Sequence, residues 1–129
     1  MIPLCREERI AVIPWSPLAR GFLTGRYKRG EPAKSTRYDN DQYLSGRYFR
    51  PEDFDIVESV VQLAKEKGVE PAQIALSWLL HKGVTAPIIG ATKVKHVEEA
   101  VGALEVKLDP DEIKVLEARY RPHEVTGHQ

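Results

Sequence analysis

Residues 10–26 read IAVIPWSPLARGFLTGR, a short apolar run that passes straight into Trp15-Ser16-Pro17-Leu18 and a loop marked by glycine and arginine. Ile10 to Ile13 is apolar on both faces, the pattern of a parallel strand covered on each side. Pro14 and Pro17 bracket Trp15 and Ser16 and end that strand. The arrangement recurs at residues 86–93, APIIGATK, where an apolar run from Ala86 to Ile89 leads through Gly90, Ala91, Thr92 and Lys93 into a helix. Two such units predict neighbouring parallel strands whose C-terminal ends face one ligand. A helix N-terminus at that place favours an anionic, phosphate-bearing ligand, because its first N–H groups lack partners and the helix dipole is positive there.

Outward from these runs the chain is mostly helical. Ile2 to Glu8 reads as the tail of a helix. From Gly21 to Phe49 the composition turns to Arg, Lys, Tyr, Ser, Asp and Gly with little periodicity, so residues 20–50 form a long loop on the ligand side. About 30 residues of this kind inside a compact domain mark a lid or a binding loop. Pro51-Glu52-Asp53 opens a helix whose inner positions are Phe54, Val57, Val60, Val61 and Ala64, and Gly68 ends it. Pro71 opens another, with Ile74, Ala75, Trp78 and Leu79 inward, stopped by Gly83. Thr92 is placed to cap a third, with apolar positions at Val94, Val97, Val101 and Leu104. Asp109-Pro110-Asp111-Glu112 combines an N-cap acid, a first-turn proline and a glutamate three residues past the cap. Ile113, Leu116 and Tyr120 continue that last helix, and Pro122 to Gln129 reads as coil.

The whole chain bounds this reading. Its 129 residues suit one domain, and 19 basic side chains cancel 19 acidic ones. A neutral balance offers no electrostatic case for nucleic acid or an anionic membrane surface. The single Cys5 excludes an internal disulfide and fits a reducing cytosol, and the absence of a His or CxxC partner disfavours a reactive-thiol reading. Apolar runs of a few residues fall far short of the roughly 20 needed to span a bilayer. The first residues lack the apolar core of an export signal, so the expectation is a cytoplasmic protein. Strands alternating with helices predict an α/β fold with a parallel sheet. Two strands leave both edges unpaired, so the chain reads as part of a larger α/β body, and bare edges predict self-association or pairing with another chain.

Two readings stand beside each candidate site residue. Gly90-Ala91-Thr92-Lys93 is either a phosphate site, as in the loops after the seventh and eighth strands of (β/α)8 barrels, or a plain turn with a solvated lysine. No GxGxxG or Walker sequence is present, which disfavours the usual dinucleotide and P-loop folds. Trp15 at a strand's C-terminal end could stack on a flat heterocycle, but periodicity alone places it in the core. Trp78, mid-helix on an apolar stripe, is core.

Together WSPLARGFLTGRY (15–27) and APIIGATKVKHVEEAV (86–101) resemble the aldo-keto reductase superfamily, in the branch of the bacterial reductases and potassium-channel β subunits. The resemblance covers essentially all 129 residues. It implies one partial domain over 1–129, the C-terminal part of a (β/α)8 TIM barrel: strands 7 and 8 with their helices and an extra C-terminal helix. It also implies an NADP(H) cofactor. Trp15 matches the aromatic that stacks on nicotinamide, and Ser16, Pro17, Leu18, Ala19 and Arg20 match the loop around the pyrophosphate. Arg26 and Arg37 match basic residues reaching the phosphates. Gly90, Thr92 and Lys93 match the segment at the 2′-phosphate, with His96 beside it as either a phosphate partner or a solvated side chain. Glu99 matches an adenine contact, while Ala100 departs from a common Asn. A charge-assisted donor such as Lys93 at a helix start is what a 2′-phosphate requires.

The family's catalytic Tyr, Lys, Asp and His match no residue of this chain, so no catalytic residue is expected and the chain alone should not turn over. The implied reaction of the complete protein is reduction of an aldehyde or ketone. The other expectations are a non-catalytic nucleotide-binding module, or a structural piece that needs another chain or copy to complete the barrel.

Overall fold

A computed structural model describes residues 1–30 and 48–122. Its elements in chain order are α1 (Ile2–Glu7), a 3-10 helix (Ala19–Thr24), α2 (Pro51–Lys67), α3 (Pro71–His81), α4 (Val94–Gly102) and α5 (Pro110–Glu117). The helices after the long loop start where the local signals put them. Proline, which has no N–H to lose, opens α2, α3 and α5. Gly68, in the left-handed region at φ 67°, turns the chain out of α2 with its N–H on Ala64 and Lys65 carbonyls. At α5 the Asp109 carboxylate accepts from the Asp111 and Glu112 N–H groups, both at 2.9 Å, and Glu112 accepts from the Asp109 N–H at 2.8 Å. Tyr120 lies past the end of α5 and is exposed, contrary to the expected continuation.

The two expected strands run side by side and parallel, but they form a single bridge, Trp15 to Ile88, instead of a ladder. Val12 O accepts from the Thr85 and Ala86 N–H groups at 2.9 and 3.4 Å, and Pro14 O accepts from Ile88 N–H at 2.9 Å. The Thr85 hydroxyl takes the Val12 N–H at 3.0 Å. No extended strand is present among the described residues. Pro14 and Pro87 explain this, since each removes one N–H from the few available for pairing.

Two apolar clusters hold the helices together. Phe22, Tyr27, Phe54 and Val57 form one, and Val60, Leu63, Ala64, Ile74 and Leu116 the other. Leu23 of the 3-10 helix packs against both, so the loop after Trp15 is anchored in the core. On α2, Leu63 is buried and Val61 stays 39 % exposed, the reverse of the simple stripe. Val61 faces the bare Cα of Gly25, where no side chain covers it.

Arg29 ties the far end of this loop to α2 through Asp55, Glu58 and the Pro51 carbonyl, with its guanidinium over Phe54. The bond to Asp55 holds the guanidinium above its ordinary pKa. Trp78 is only partly buried, and its indole N–H donates to Glu117 Oε1 at 2.8 Å. The expected apolar positions of α4, Val94, Val97, Val101 and Leu104, are all exposed. That helix touches the body through α3, at Gly102 and the fully buried Ala103.

Candidate cofactor site

The Trp15–Ile88 bridge fixes the site. It makes the loops after Trp15 and after Ile88 leave the pair at the same end, as parallel segments must. Periodicity had placed Trp15 in the core, yet it is 63 % exposed. The bridge pairs only its backbone, and Ile13 and Ile88 beside it are exposed as well.

From Trp15 the chain curls tightly. Ser16, Ala19 and Arg20 have φ of 54°, 48° and 57°, and Gly21 follows at 91°. Left-handed backbone is uncommon outside glycine, costs on the order of 1–2 kcal/mol per residue and concentrates at functional sites. Here it is held by the Ala19 N–H on Ser16 O at 3.0 Å and the Gly21 N–H on Leu18 O at 2.9 Å. The segment expected to lack structure from Gly21 onward therefore begins with a 3-10 turn kinked at Arg20 and Gly21. The curl brings the Arg20 guanidinium over the Trp15 ring, 5.6 Å from its centroid. It also brings Arg26 alongside: its Cδ and Nη1 lie 3.8 and 3.9 Å from where a Gly21 Cβ would stand.

On the second loop, Gly90 has open space on its Cβ side, and Thr92 and Lys93 are exposed. Thr92 does not cap α4. The N-cap is Lys93, no side chain caps it, and the Thr92 N–H instead reaches His96 Nδ1 at 3.4 Å. The first turn of α4 holds no acid, whereas α2 and α5 each carry two there. A helix start with no side-chain cap and Lys93 at its N-cap favours an anion, while Lys95 in its first turn faces Glu70 and Glu99. Glu99 pairs with Lys95 at 3.2 Å, one turn on. Thus Trp15 to Arg20 and Arg26 gather on one loop, and Gly90, Thr92, Lys93 and His96 on its neighbour. Glu99 lies further along α4, and Arg37 lies outside the described residues.

The Arg20–Trp15 stacking was not legible in the sequence. Five residues apart in a loop, the two have no spacing rule to join them, and only the run of positive φ does so.

Adjacent parallel segments, each followed by a loop and then helices, fit an α/β architecture built in repeated β–loop–α units. The chain belongs to the aldo/keto reductase family, whose sequence model matches residues 1–121. It is 39% identical over 127 residues to a Schizosaccharomyces pombe protein named "Putative aryl-alcohol dehydrogenase", a match covering 98% of this chain and 35% of the relative. It is 36% identical over 126 residues to the versiconal hemiacetal acetate reductase of Aspergillus parasiticus, covering 95% of this chain and 36% of the relative. The crystal structure of a thermostable aldo-keto reductase in complex with the inhibitor epalrestat superposes with a TM-score of 0.62 at 23% identity, over 92% of this chain and 32% of the other. That likeness concerns the fold and implies the family's (β/α)8 barrel. The chain spans about a third of the length of these relatives.

Proposed function

We propose that this chain is the cofactor-binding closing portion, strands 7 and 8 with their helices and the C-terminal helix, of an NADP(H)-dependent aldo-keto reductase. The complete protein reduces aldehydes or ketones to alcohols in the cytoplasm. The observation that carries the reading is the parallel Trp15–Ile88 bridge, which sets a basic loop with an exposed indole beside an uncapped helix start bearing Lys93.

The residues fit the group. Trp15 offers a flat apolar face to a nicotinamide ring, and Arg20 and Arg26 flank the loop from Ser16 to Ala19 where a pyrophosphate would lie. Gly90 leaves room for close approach, and Thr92, Lys93 and His96 surround the place for a 2′-phosphate. Glu99, paired with Lys95 at 3.2 Å, is the residue assigned to adenine. The nicotinamide supplies hydride to a carbonyl carbon when bound. This chain's residues hold and orient that carrier, and none of them is assigned to proton transfer.

NADPH binding is measured by cofactor fluorescence. Lys93→Ala is expected to weaken NADP(H) by about 10- to 100-fold, the equivalent of one charge-assisted hydrogen bond, and NAD(H) hardly at all. Equal losses for both cofactors count against the 2′-phosphate role. A second reading, a non-catalytic or structural piece completed by another chain or copy, draws on the bare apolar side chains of Ile13, Ile88, Val94 and Val101. Light scattering tests it: self-association or capture of a complementary barrel portion supports it, and a monodisperse monomer opposes it.

A further inference from the structure

Backbone bonds alone leave the pairing of the two apolar segments open. Val12 O accepts from the Thr85 and Ala86 N–H groups, and Pro14 O from the Ile88 N–H. A one-residue slip in either direction brings Pro87, which has no N–H, opposite one of these carbonyls. A two-residue slip does not: it offers Val84 and Ala86, or Ile88 and Gly90, and returns every side chain to its own face. One bond distinguishes the observed register. The Val12 N–H donates to Thr85 Oγ1 at 3.0 Å, in the place a backbone carbonyl takes in a regular ladder. No other side chain of residues 10–14 or 83–89 carries a hydrogen-bonding atom. Arg6 also joins the approaches to the two segments, through the Lys82 carbonyl, but a long arginine side chain can follow a shift that a threonine hydroxyl cannot.

We propose that Thr85 is the positioning residue that sets the register of the two loops in the candidate cofactor site. Its hydroxyl holds the Val12 N–H, three residues before Trp15, and its own N–H returns to the Val12 carbonyl at 2.9 Å. A two-residue slip would carry Gly90, Thr92 and Lys93 about 6–7 Å past the loop from Trp15 to Arg20, about twice the length of a hydrogen bond. The segments meet in one bridge, so a single bond has weight. Its loss changes the ratio of the two registers by about two- to tenfold. The NADPH effect rests on the cofactor reading, whereas the register does not.

The test uses the full chain with Thr85→Val, which keeps the β-branch and removes the hydroxyl, and Thr85→Ser, which keeps the hydroxyl. Register is read from nuclear Overhauser contacts of the Trp15 backbone. In the wild type and Thr85→Ser these should centre on Ile88 alone. Thr85→Val should add a second set, centred on Ala86 or Gly90, and weaken NADPH about twofold, in proportion to the share of chains left in register. Contacts centred on Ile88 alone in Thr85→Val, or a second set in Thr85→Ser, overturn the role of the hydroxyl. Should Thr85→Val not fold, the wild-type Val12 amide decides: hydrogen exchange slowed about fivefold or more supports the bond, and exchange at the free-peptide rate overturns it. If the wild type binds NADPH and a shifted register leaves that affinity unchanged, the positioning role fails and the cofactor reading survives. If the wild type does not bind NADPH, the cofactor reading fails, and the contacts alone decide whether Thr85 sets the register.

Discussion

Gly25 is where the candidate loop meets the helical body. It has φ of 73°, and a Cβ placed on it would lie 2.6 Å from Val61 Cγ2 on α2. Gly25→Ala therefore carries two separable penalties. Left-handed backbone costs a non-glycine residue about 1–2 kcal/mol. The clash adds about 1–3 kcal/mol, because Val61 is β-branched and keeps essentially one χ1 rotamer in a helix, so it cannot swing aside. The total, about 2–5 kcal/mol, corresponds to a melting point lower by about 8–20 °C at this chain length.

The second substitution isolates the steric part. Val61→Ala removes the offending methyl, and at 39 % exposure it costs little alone. In Gly25→Ala/Val61→Ala the clash disappears, leaving about 1–2 kcal/mol for the backbone. Thermal or urea unfolding of the four proteins gives the coupling directly. Purely additive losses would refute the close approach of Gly25 and α2. NADPH affinity should follow the same order, because Gly25 closes the 3-10 turn that begins at Ala19 and carries Arg20.

Two further perturbations test the helical frame. Asp109→Ala removes both side-chain bonds to the start of α5 and should cost about 1 kcal/mol, read by urea unfolding; no change in midpoint would mean that Glu112 suffices as a cap. Glu117 is held below its ordinary pKa chiefly by the hydrogen bond to Lys82, with the Trp78 N–H also contributing. A depressed folded-state pKa stabilises the fold above the ordinary carboxylate range, and that stability is lost as pH falls through the folded value. Glu117→Gln should flatten this acid limb of a melting-point profile, and an unchanged slope refutes the pairing.

The sequence was most legible where structure is local. Pro51, Pro71 and Asp109-Pro110 set helix starts and Gly68 a helix end, because a cap or a missing N–H acts within one turn. The two apolar runs also identified themselves as adjacent and parallel. What failed was burial. Val94, Val97, Val101 and Leu104 form an apolar stripe, but a stripe does not say whether it will be buried, and here all four side chains stay exposed. The same gap put Trp15 in the core by periodicity when it is exposed.

Residue types and their spacing thus determined by themselves where α2, α3 and α5 begin, and the resemblance of two motifs pointed to the family to which the chain belongs. Tertiary structure alone decided that the two strands meet in a single bridge, Trp15 to Ile88. It alone decided that Lys93, not Thr92, stands at the cap of α4, and that Arg20 folds over Trp15. The physical reason is range. Caps and prolines act through neighbouring backbone groups, whereas strand pairing, exposure and the strained curl from Ser16 to Gly21 depend on what distant segments leave open or hold in place.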